Sequence, residues 1–232
     1  MAFIEHYPFI LAFLLGLVPA LVWLWFWLRE ETHHEPSRMV TLSFVGGMVA
    51  VLVVLPLEQF VYNTVQNSQT LSFILWAAIE EVFKFFFVYI IALRNKNVAS
   101  APTDDILYLI ISALGFATFE NTLFLLGPLR TGDIFGALIN ANLRFMGAML
   151  LHVMSSAAIG IFLALAFYKS PAAKKIYALF GIILAIALHT AFNLFIISGT
   201  QSNIFWTFGM VWIGVIILLL VFEKIKHLRK TT

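Results

Sequence analysis

Long apolar runs dominate the chain, and short polar connections separate them. A membrane-spanning helix needs about 20 mostly apolar residues. The sequence contains seven such segments, with predicted bounds of 7–29, 39–62, 71–93, 104–127, 142–168, 176–198 and 203–223. The pattern predicts an all-α fold, a polytopic membrane helical bundle of about seven transmembrane helices in a single domain over residues 1–232. No Lys or Arg precedes the first segment, so we expect it to be a retained helix and not a cleaved signal peptide.

Composition agrees with this pattern and excludes several classes of protein. The chain is 62% hydrophobic and 11% charged, whereas soluble domains carry about 25% charged residues. It has no cysteine, which rules out disulfides and thiolate metal sites. No basic arm suggests a nucleic-acid partner. We therefore expect the protein to contact the lipid bilayer and to bind no nucleic acid. The sequence does not indicate an oligomeric state.

The basic residues are distributed unequally between the two sides of the membrane. Cytoplasmic loops of membrane proteins carry an excess of Lys and Arg. The first, third and fifth connections and the C-terminal tail together hold eleven, namely Arg29, Arg38, Arg94, Lys96, Lys169, Lys174, Lys175, Lys224, Lys226, Arg229 and Lys230. The other side holds Arg130 alone. This asymmetry predicts an N-terminus outside the cell and a C-terminus in the cytoplasm.

Several strongly polar residues interrupt the apolar runs. They are Glu80, Glu81 and Lys84 in the third segment, Glu120 and Asn121 in the fourth, Arg144 and His152 in the fifth, and His189 and Asn193 in the sixth. A charged group inside the bilayer costs at least about 2.5–3.5 kcal/mol, and such groups usually mark function. A further acid, Glu58, lies near the outer end of the second segment, where we expect it at the membrane interface.

The predicted helix ends place these groups at similar depths. At a rise of about 1.5 Å per residue, the acids and histidines on four helices lie about 10–15 Å below the outer surface. Spacing supports a shared face: Lys84 is three or four residues from either acid of the Glu80-Glu81 pair. His189 and Asn193 are also four residues apart. The pattern therefore predicts one polar cavity in the outer half of the membrane.

Groups of this kind in one cavity can hydrolyse a peptide bond. A glutamate can take a proton from water, and a histidine or an asparagine can donate a hydrogen bond to the oxyanion. Glu120, His152 and His189 either bind one zinc ion or polarise water and carbonyl directly. Individually, a histidine or asparagine in a membrane helix can serve packing alone, and a Glu–Lys pair can simply lock the fold. Their agreement in depth favours a functional site.

Four motifs on successive segments resemble the PrsW family of intramembrane proteases. They are Glu80-Glu81-x-x-Lys84, Gly115-Phe116-Ala117-x-x-Glu120-Asn121, His152 within residues 151–160, and His189-x-x-x-Asn193. This family belongs with the type II CAAX prenyl proteases and the bacteriocin-processing membrane proteases. The resemblance covers about half of the chain. The second motif ends in Glu120 where the wider clan commonly has histidine, so the prenyl-protease mechanism does not transfer directly.

The resemblance implies a protease of the prokaryotic plasma membrane that acts on a membrane-anchored protein. Founding members make the first, extracytoplasmic cut in an anti-sigma factor. It also implies that Glu80 and Glu81 are catalytic and that His189 and Asn193 complete the site, on catalytic helices spanning about residues 71–198.

In the working hypothesis, one acid of the Glu80-Glu81 pair is the general base and Lys84 is the charge partner of the other. Asn193 donates to the oxyanion, while Asn121 and Arg144 support Glu120 or anchor at the interface. Two alternatives stay open: a proton- or cation-coupled transporter, and a non-catalytic scaffold of the same clan.

Overall fold

Seven long helices make up the part of the chain that the computed structural model describes, residues 7–31, 35–197 and 201–228. They are α1 (Pro8–Glu30), α2 (Ser37–Thr64), α3 (Gln69–Val88, extended by the π-helical turn Tyr89–Leu93), α4 (Pro102–Arg130), α5 (Ile134–Leu165), α6 (Pro171–Ile197) and α7 (Gln201–Lys226). Across these ranges there is no β-strand. The prediction of an all-α fold is confirmed.

Six of these helices are long and apolar enough to cross a bilayer. The helix outside that set is α3, whose apolar run carries Glu80, Glu81 and Lys84. The chain is therefore a multi-pass membrane protein, and the helix outside the set of six is the one whose charged residues the sequence identifies as energetically costly.

The start of α5 differs from the prediction. The helix begins at Ile134, not at 142, and the connection from α4 is only residues 131–133. Asp133 accepts a hydrogen bond from the backbone N–H of Gly136 at 2.9 Å, which caps the new helix. Its first three turns contain polar residues that read as a loop in the sequence. A π-helical turn, Arg144–Ala148, then joins this portion to the remainder, Met149–Leu165.

The core of the bundle is α4, which is buried throughout residues 102–118 and packs against α1, α2 and α5. Glycines allow the backbones of α2 and α4 to touch. A Cβ atom on Gly47 would lie 1.9 Å from the carbonyl oxygen of Ser112, and one on Gly115 would lie 1.9 Å from the carbonyl oxygen of Phe44. Small residues permit such close approach between membrane helices.

The remaining contacts bring the polar segments together. Helix α3 packs against α2 and α6, and the Met149–Leu165 portion of α5 packs against α4 and α6. Helix α7 packs mainly on α5. As a result, α3, α4, α5 and α6 turn their polar side chains toward one another.

Candidate active site

The two adjacent acids on α3 occupy different environments, and Glu81 is the one enclosed by donors. It is fully buried. Its Oε1 atom lies 2.6 Å from Lys84 Nζ and 2.8 Å from His189 Nδ1. The hydroxyl of Ser155 donates to the same oxygen at 2.8 Å, and that of Ser156 donates to Oε2 at 3.3 Å. Four donors on three elements therefore hold this carboxylate in place.

Lys84 links α3 to α5. It is fully buried, and besides its ion pair with Glu81 its Nζ lies 3.1 Å from Nδ1 of His152. The ammonium also lies 4.9 Å from the centre of the Phe116 ring, a favourable position over an aromatic face. The sequence allows Lys84 to pair with either Glu80 or Glu81. In the structure it forms an ion pair with Glu81, three residues away.

The contact with Glu81 fixes the orientation of His189. Because a carboxylate only accepts hydrogen bonds, Nδ1 of His189 donates to Glu81. In the neutral ring the other nitrogen, Nε2, is then an acceptor. It lies 3.8 Å from Oε2 of Glu80. A carboxylate that receives the N–H of a histidine sets the orientation of the ring and makes its other nitrogen a better ligand.

His152 lies between three charged groups. Its Nδ1 atom is 3.1 Å from Lys84 Nζ and 3.8 Å from Oε2 of Glu80. Its Nε2 atom lies 3.1 Å from Oε2 of Glu120. An ammonium beside Nδ1 makes that nitrogen an acceptor, so Nε2 carries the proton and donates it to Glu120. His152 and His189 lie next to each other, with ring centres 5.1 Å apart.

Arg144 secures Glu120 from the first residue of the π-helical turn in α5. Its guanidinium donates to Glu120 Oε2 through Nη2 and, at 2.5 Å, to Asn121 Oδ1 through Nε. It also lies over the ring of Phe124, 3.9 Å from the centre. Functional sites often contain such π-helical insertions, because they reorient the side chains that follow. Here, Arg144 and Asn121 both support Glu120.

Glu80, His152 and His189 form a group that can hold a metal ion. Their potential ligand atoms all lie within 4.8 Å of one another. Oε2 of Glu80 is buried and has no hydrogen-bond partner among the described residues, although both histidines point nitrogen atoms at it.

Catalytic zinc in proteases is often held by two histidines and one glutamate, with ligand atoms roughly 3.4 Å apart for bonds near 2.1 Å. The two 3.8 Å separations in this group are close to that value. The residues therefore fit a zinc ion, provided that Lys84 releases His152 Nδ1. The sequence had placed Glu120 with the histidines, but in the structure Glu80 takes that place and Glu120 binds Arg144.

A cavity of about 660 Å³ opens beside this group, within the usual size range of ligand pockets. Its polar lining includes Glu58, Glu80, Glu120, Arg144, His152, His189 and Asn193. Aromatic side chains, among them Trp76, Phe124 and Phe208, form much of the rest. Asn193 faces the cavity, and no hydrogen bond between described residues joins it to the acids or histidines. The polar group therefore lies at the wall of a cavity large enough for a ligand.

Three residues of this site were missed in the sequence. Ser155 and Ser156 lie one turn after His152, so the spacing along α5 could have indicated them. Glu58 was expected at the interface because it lies near the end of its segment. The structure places it half-buried in the cavity wall, which it shares with Glu80.

The fold and the site together define a membrane-embedded enzyme with a carboxylate–histidine centre inside a helical bundle. Comparison with known families makes this specific. The family model described as PrsW family intramembrane metalloprotease matches residues 35–222. The chain belongs to this family.

Individual relatives agree over most of the chain. Protease PrsW of Shouchella clausii (strain KSM-K16) is 27% identical over 223 residues, covering 94% of this chain and 97% of the relative. Protease PrsW of Bacillus subtilis (strain 168) is 25% identical over 84% of this chain and 90% of the relative. Protease PrsW of Clostridioides difficile (strain 630) is 26% identical over 78% of this chain and 77% of the relative. No solved structure matches the chain.

These matches confirm the family resemblance and the prediction of a protease, as against a transporter or a non-catalytic scaffold. Because the relatives are bacterial, the matches also support the prediction of a multi-pass membrane protein from a prokaryote.

Proposed function

We propose that this protein is an intramembrane endopeptidase that cuts a membrane-anchored protein near the extracytoplasmic side. The observation that carries the proposal is the buried Oε2 of Glu80, which has no hydrogen-bond partner among the described residues. It lies 3.8 Å from a nitrogen of each histidine at the wall of a cavity. In the reaction, the oxygen of water bonds to the scissile carbonyl carbon and the C–N bond breaks. One proton of the water passes to the departing amine.

Glu80, His152 and His189 hold one zinc ion in this proposal, since they supply the ligand set and the spacing. When bound, zinc polarises the scissile carbonyl and lowers the pKa of water. Glu80 is thus the acid of the pair that acts on the reacting groups. The water that attacks lies on its cavity side.

Glu81 is a positioning residue. Its four donors leave it little capacity to accept a proton from water, whereas its bond to Nδ1 turns Nε2 of His189 toward Glu80. Lys84 compensates its charge inside the bundle. The adjacent acids therefore have different roles. Glu80 contacts the reacting groups, and Glu81 positions His189.

Asn193 and the Glu120 cluster complete the site. Asn193 follows His189 by one helical turn and faces the cavity, so its amide is placed to donate to the oxyanion. Arg144 and Asn121 fix Glu120, and Glu120 in turn accepts from Nε2 of His152. This chain of bonds leaves Nδ1 of His152 on the side of Glu80.

The side of cleavage follows from depth and orientation. His189 lies 8 residues, about 12 Å, from the end of α6 at Ile197, and 18 residues, about 27 Å, from its start at Pro171. With the N-terminus outside, as the basic residues predict, the end of α6 is extracytoplasmic. The proposed substrate class is a single-span regulatory protein, such as an anti-sigma factor, cut near its outer membrane boundary.

Comparing membrane-protein fragments in cells tests the activity. Cells carrying wild type and cells carrying Glu80→Gln are compared by quantitative proteomics of membrane fractions. We expect one or more membrane-anchored proteins to accumulate uncut only in the variant, with a cut site near the extracytoplasmic boundary. Identical fragment patterns in the two strains would contradict the proposal, and a cut on the cytoplasmic side would contradict the orientation.

Elemental analysis and chelation test the metal. Purified protein should carry about one zinc per chain, and cleavage of a membrane-anchored substrate in proteoliposomes should fall with chelator and return with zinc. Full activity in a sample without metal would rule out the zinc version of the site.

A further inference from the structure

Glu58 is held beside Glu80 by a contact between α2 and α3. The indole N–H of Trp76 donates to the backbone carbonyl of Glu58 at 3.1 Å. Two residues earlier, Pro56 lies inside α2, where it lacks the N–H that would bond the preceding turn. The segment of α2 that carries Glu58 is therefore attached to the helix of Glu80 through Trp76.

The surroundings of Glu58 differ from those of the other site carboxylates. Glu81 accepts hydrogen bonds from four donors, and Glu120 is bound by Arg144 and His152. Glu58 makes no ion pair with any described residue, and it lines the same cavity as Glu80. Trp76, which contacts the backbone of Glu58, lies one helical turn before Glu80 on α3. A carboxylate kept inside a membrane protein for stability is usually paired with a cation. The position of Glu58 therefore calls for a partner that enters the cavity.

Water is the partner that this geometry fits. Both residues line the cavity, and Trp76 connects the backbone of Glu58 to the helix of Glu80. A water molecule on the cavity side of Glu80 is therefore placed to reach Glu58. Glu58 can accept a hydrogen bond from that water, because its oxygens are free of other donors among the described residues. Accurate placement of a nucleophile accounts for much of the rate of an enzyme, and a shift of about 1 Å can cost roughly 100-fold.

We propose that Glu58 is a further catalytic residue that holds the attacking water against Glu80 by accepting a hydrogen bond from it. This inference rests on the proposed hydrolytic function of the site. It assigns Glu58 to the water and not to the metal, whose ligands are Glu80, His152 and His189. Helix α2 thus contributes a functional group to a site that the sequence placed on α3 to α6.

The test compares Glu58→Gln with Glu80→Gln in proteoliposomes, using a membrane-anchored substrate identified by the cellular comparison above. We expect Glu58→Gln to lower kcat about 10- to 100-fold while KM, zinc content and the thermal unfolding midpoint stay near wild-type values. Glu80→Gln should lose both cleavage and zinc. Glu223→Gln removes a carboxylate from an exposed ion pair at the end of α7 and serves as the matched control with unchanged kinetics.

Three results would overturn the inference while leaving the proposed protease intact. The first is Glu58→Gln with wild-type kcat beside an inactive Glu80→Gln. The second is a change in KM alone, which would make Glu58 a substrate-binding residue, and the third is loss of zinc from Glu58→Gln. By contrast, a wild-type protein that cuts no membrane-anchored substrate would refute the proposed function itself.

A second variant covers the case in which Glu58→Gln does not fold. Trp76→Phe removes the indole N–H that holds the Glu58 carbonyl but keeps the carboxylate and most of the ring volume. We expect a several-fold loss of kcat with zinc content unchanged. Wild-type kcat in Trp76→Phe would contradict the proposed placement of Glu58.

Discussion

Nδ1 of His189 lies 2.8 Å from Oε1 of Glu81, across 108 positions of sequence. This one bond determines which ring nitrogen of His189 faces the cavity, and it separates the roles of two acids that are adjacent in the chain. Glu80 presents an unpartnered oxygen to the histidines, whereas Glu81 anchors α3 to α5 and α6. The two residues should therefore respond differently to the same substitution.

Replacing either acid with glutamine should abolish cleavage, but only one replacement should destabilise the fold. Glu81→Gln leaves the Lys84 ammonium buried without its ion partner, and breaking a buried pair costs about 3–5 kcal/mol. Glu80→Gln breaks no ion pair shorter than the 3.8 Å contacts to the histidines. Thermal unfolding in detergent should show a lower midpoint for Glu81→Gln and a midpoint near wild type for Glu80→Gln. Equal midpoints for the two variants would argue against the division of roles.

The metal content of three variants should distinguish Glu80 from Glu120 as a ligand. Glu80→Gln and His189→Ala should purify with little zinc, because each removes a proposed ligand. Glu120→Gln should keep zinc, since Glu120 is bound to Arg144 and Nε2 of His152. Zinc also stabilises a protein that binds it only when folded, by about 2.7 kcal/mol at 100 times Kd. Elemental analysis and unfolding with added zinc check both points, and a zinc-free Glu120→Gln protein would place Glu120 among the ligands.

Substitution of Gly115 should disrupt the contact between α2 and α4. A Cβ atom there would lie 1.9 Å from the carbonyl oxygen of Phe44, and overpacking of this kind costs about 1–3 kcal/mol or more. Gly115→Ala should therefore lower the unfolding midpoint and the yield of folded protein. Gly209→Ala is the matched control, because a Cβ on Gly209 meets nothing within 4 Å. Equal stability of the two variants would show that α2 and α4 are not in backbone contact.

The stability of the protein should fall as pH rises from about 4.5 to about 7, because of a carboxyl group in the first connection. Burial raises the pKa of Glu35 from 4.5 to about 7, and the nearby Asp104 adds to the rise although Tyr108 donates a hydrogen bond to the carboxyl. Since the folded state holds this proton more tightly, the contribution is complete below about pH 4.5 and is lost as pH rises to about 7.

The unfolding midpoint measured between pH 5 and pH 8 checks this expectation. Wild type should become less stable over that range, and Glu35→Gln should show a smaller decline because the group that titrates is gone. Glu223→Gln, at the end of α7, should follow wild type. A pH dependence of stability that is the same in wild type and Glu35→Gln would contradict the role of Glu35.

The main residues of the site could be predicted from sequence because the bilayer makes polar residues conspicuous. Lys84, His152 and His189 each interrupt an apolar run. Such residues are energetically costly inside a membrane and usually mark a functional site. The similar depth predicted for the acids and histidines on four helices was enough to group them. The number of helices and the all-α fold followed from the lengths of the same runs.

The pairing within the site could not be predicted, since it depends on which side chains meet after packing. Lys84 lies at a suitable spacing from both Glu80 and Glu81, so the sequence does not show which acid it pairs with. The environment of Glu81 is determined by Ser155 and His189, which come close to it only in the folded bundle. Glu58 escaped notice because position along a segment does not reveal which side of the helix faces a cavity. The early start of α5 was missed for a related reason, since its polar residues read equally well as a loop.

The charged face of α3 has a consequence for how the protein is made. Glu81 and Lys84 pair within the helix, but their other partners come later in the chain. His152 lies 68 residues after Lys84, Ser155 lies 74 residues after Glu81, and His189 lies 108 residues after Glu81. During synthesis, α3 therefore emerges from the ribosome well before the helices that satisfy its charges. Packing of the later helices lowers the cost of burying these groups, so the stability of α3 in the membrane is coupled to assembly of the site.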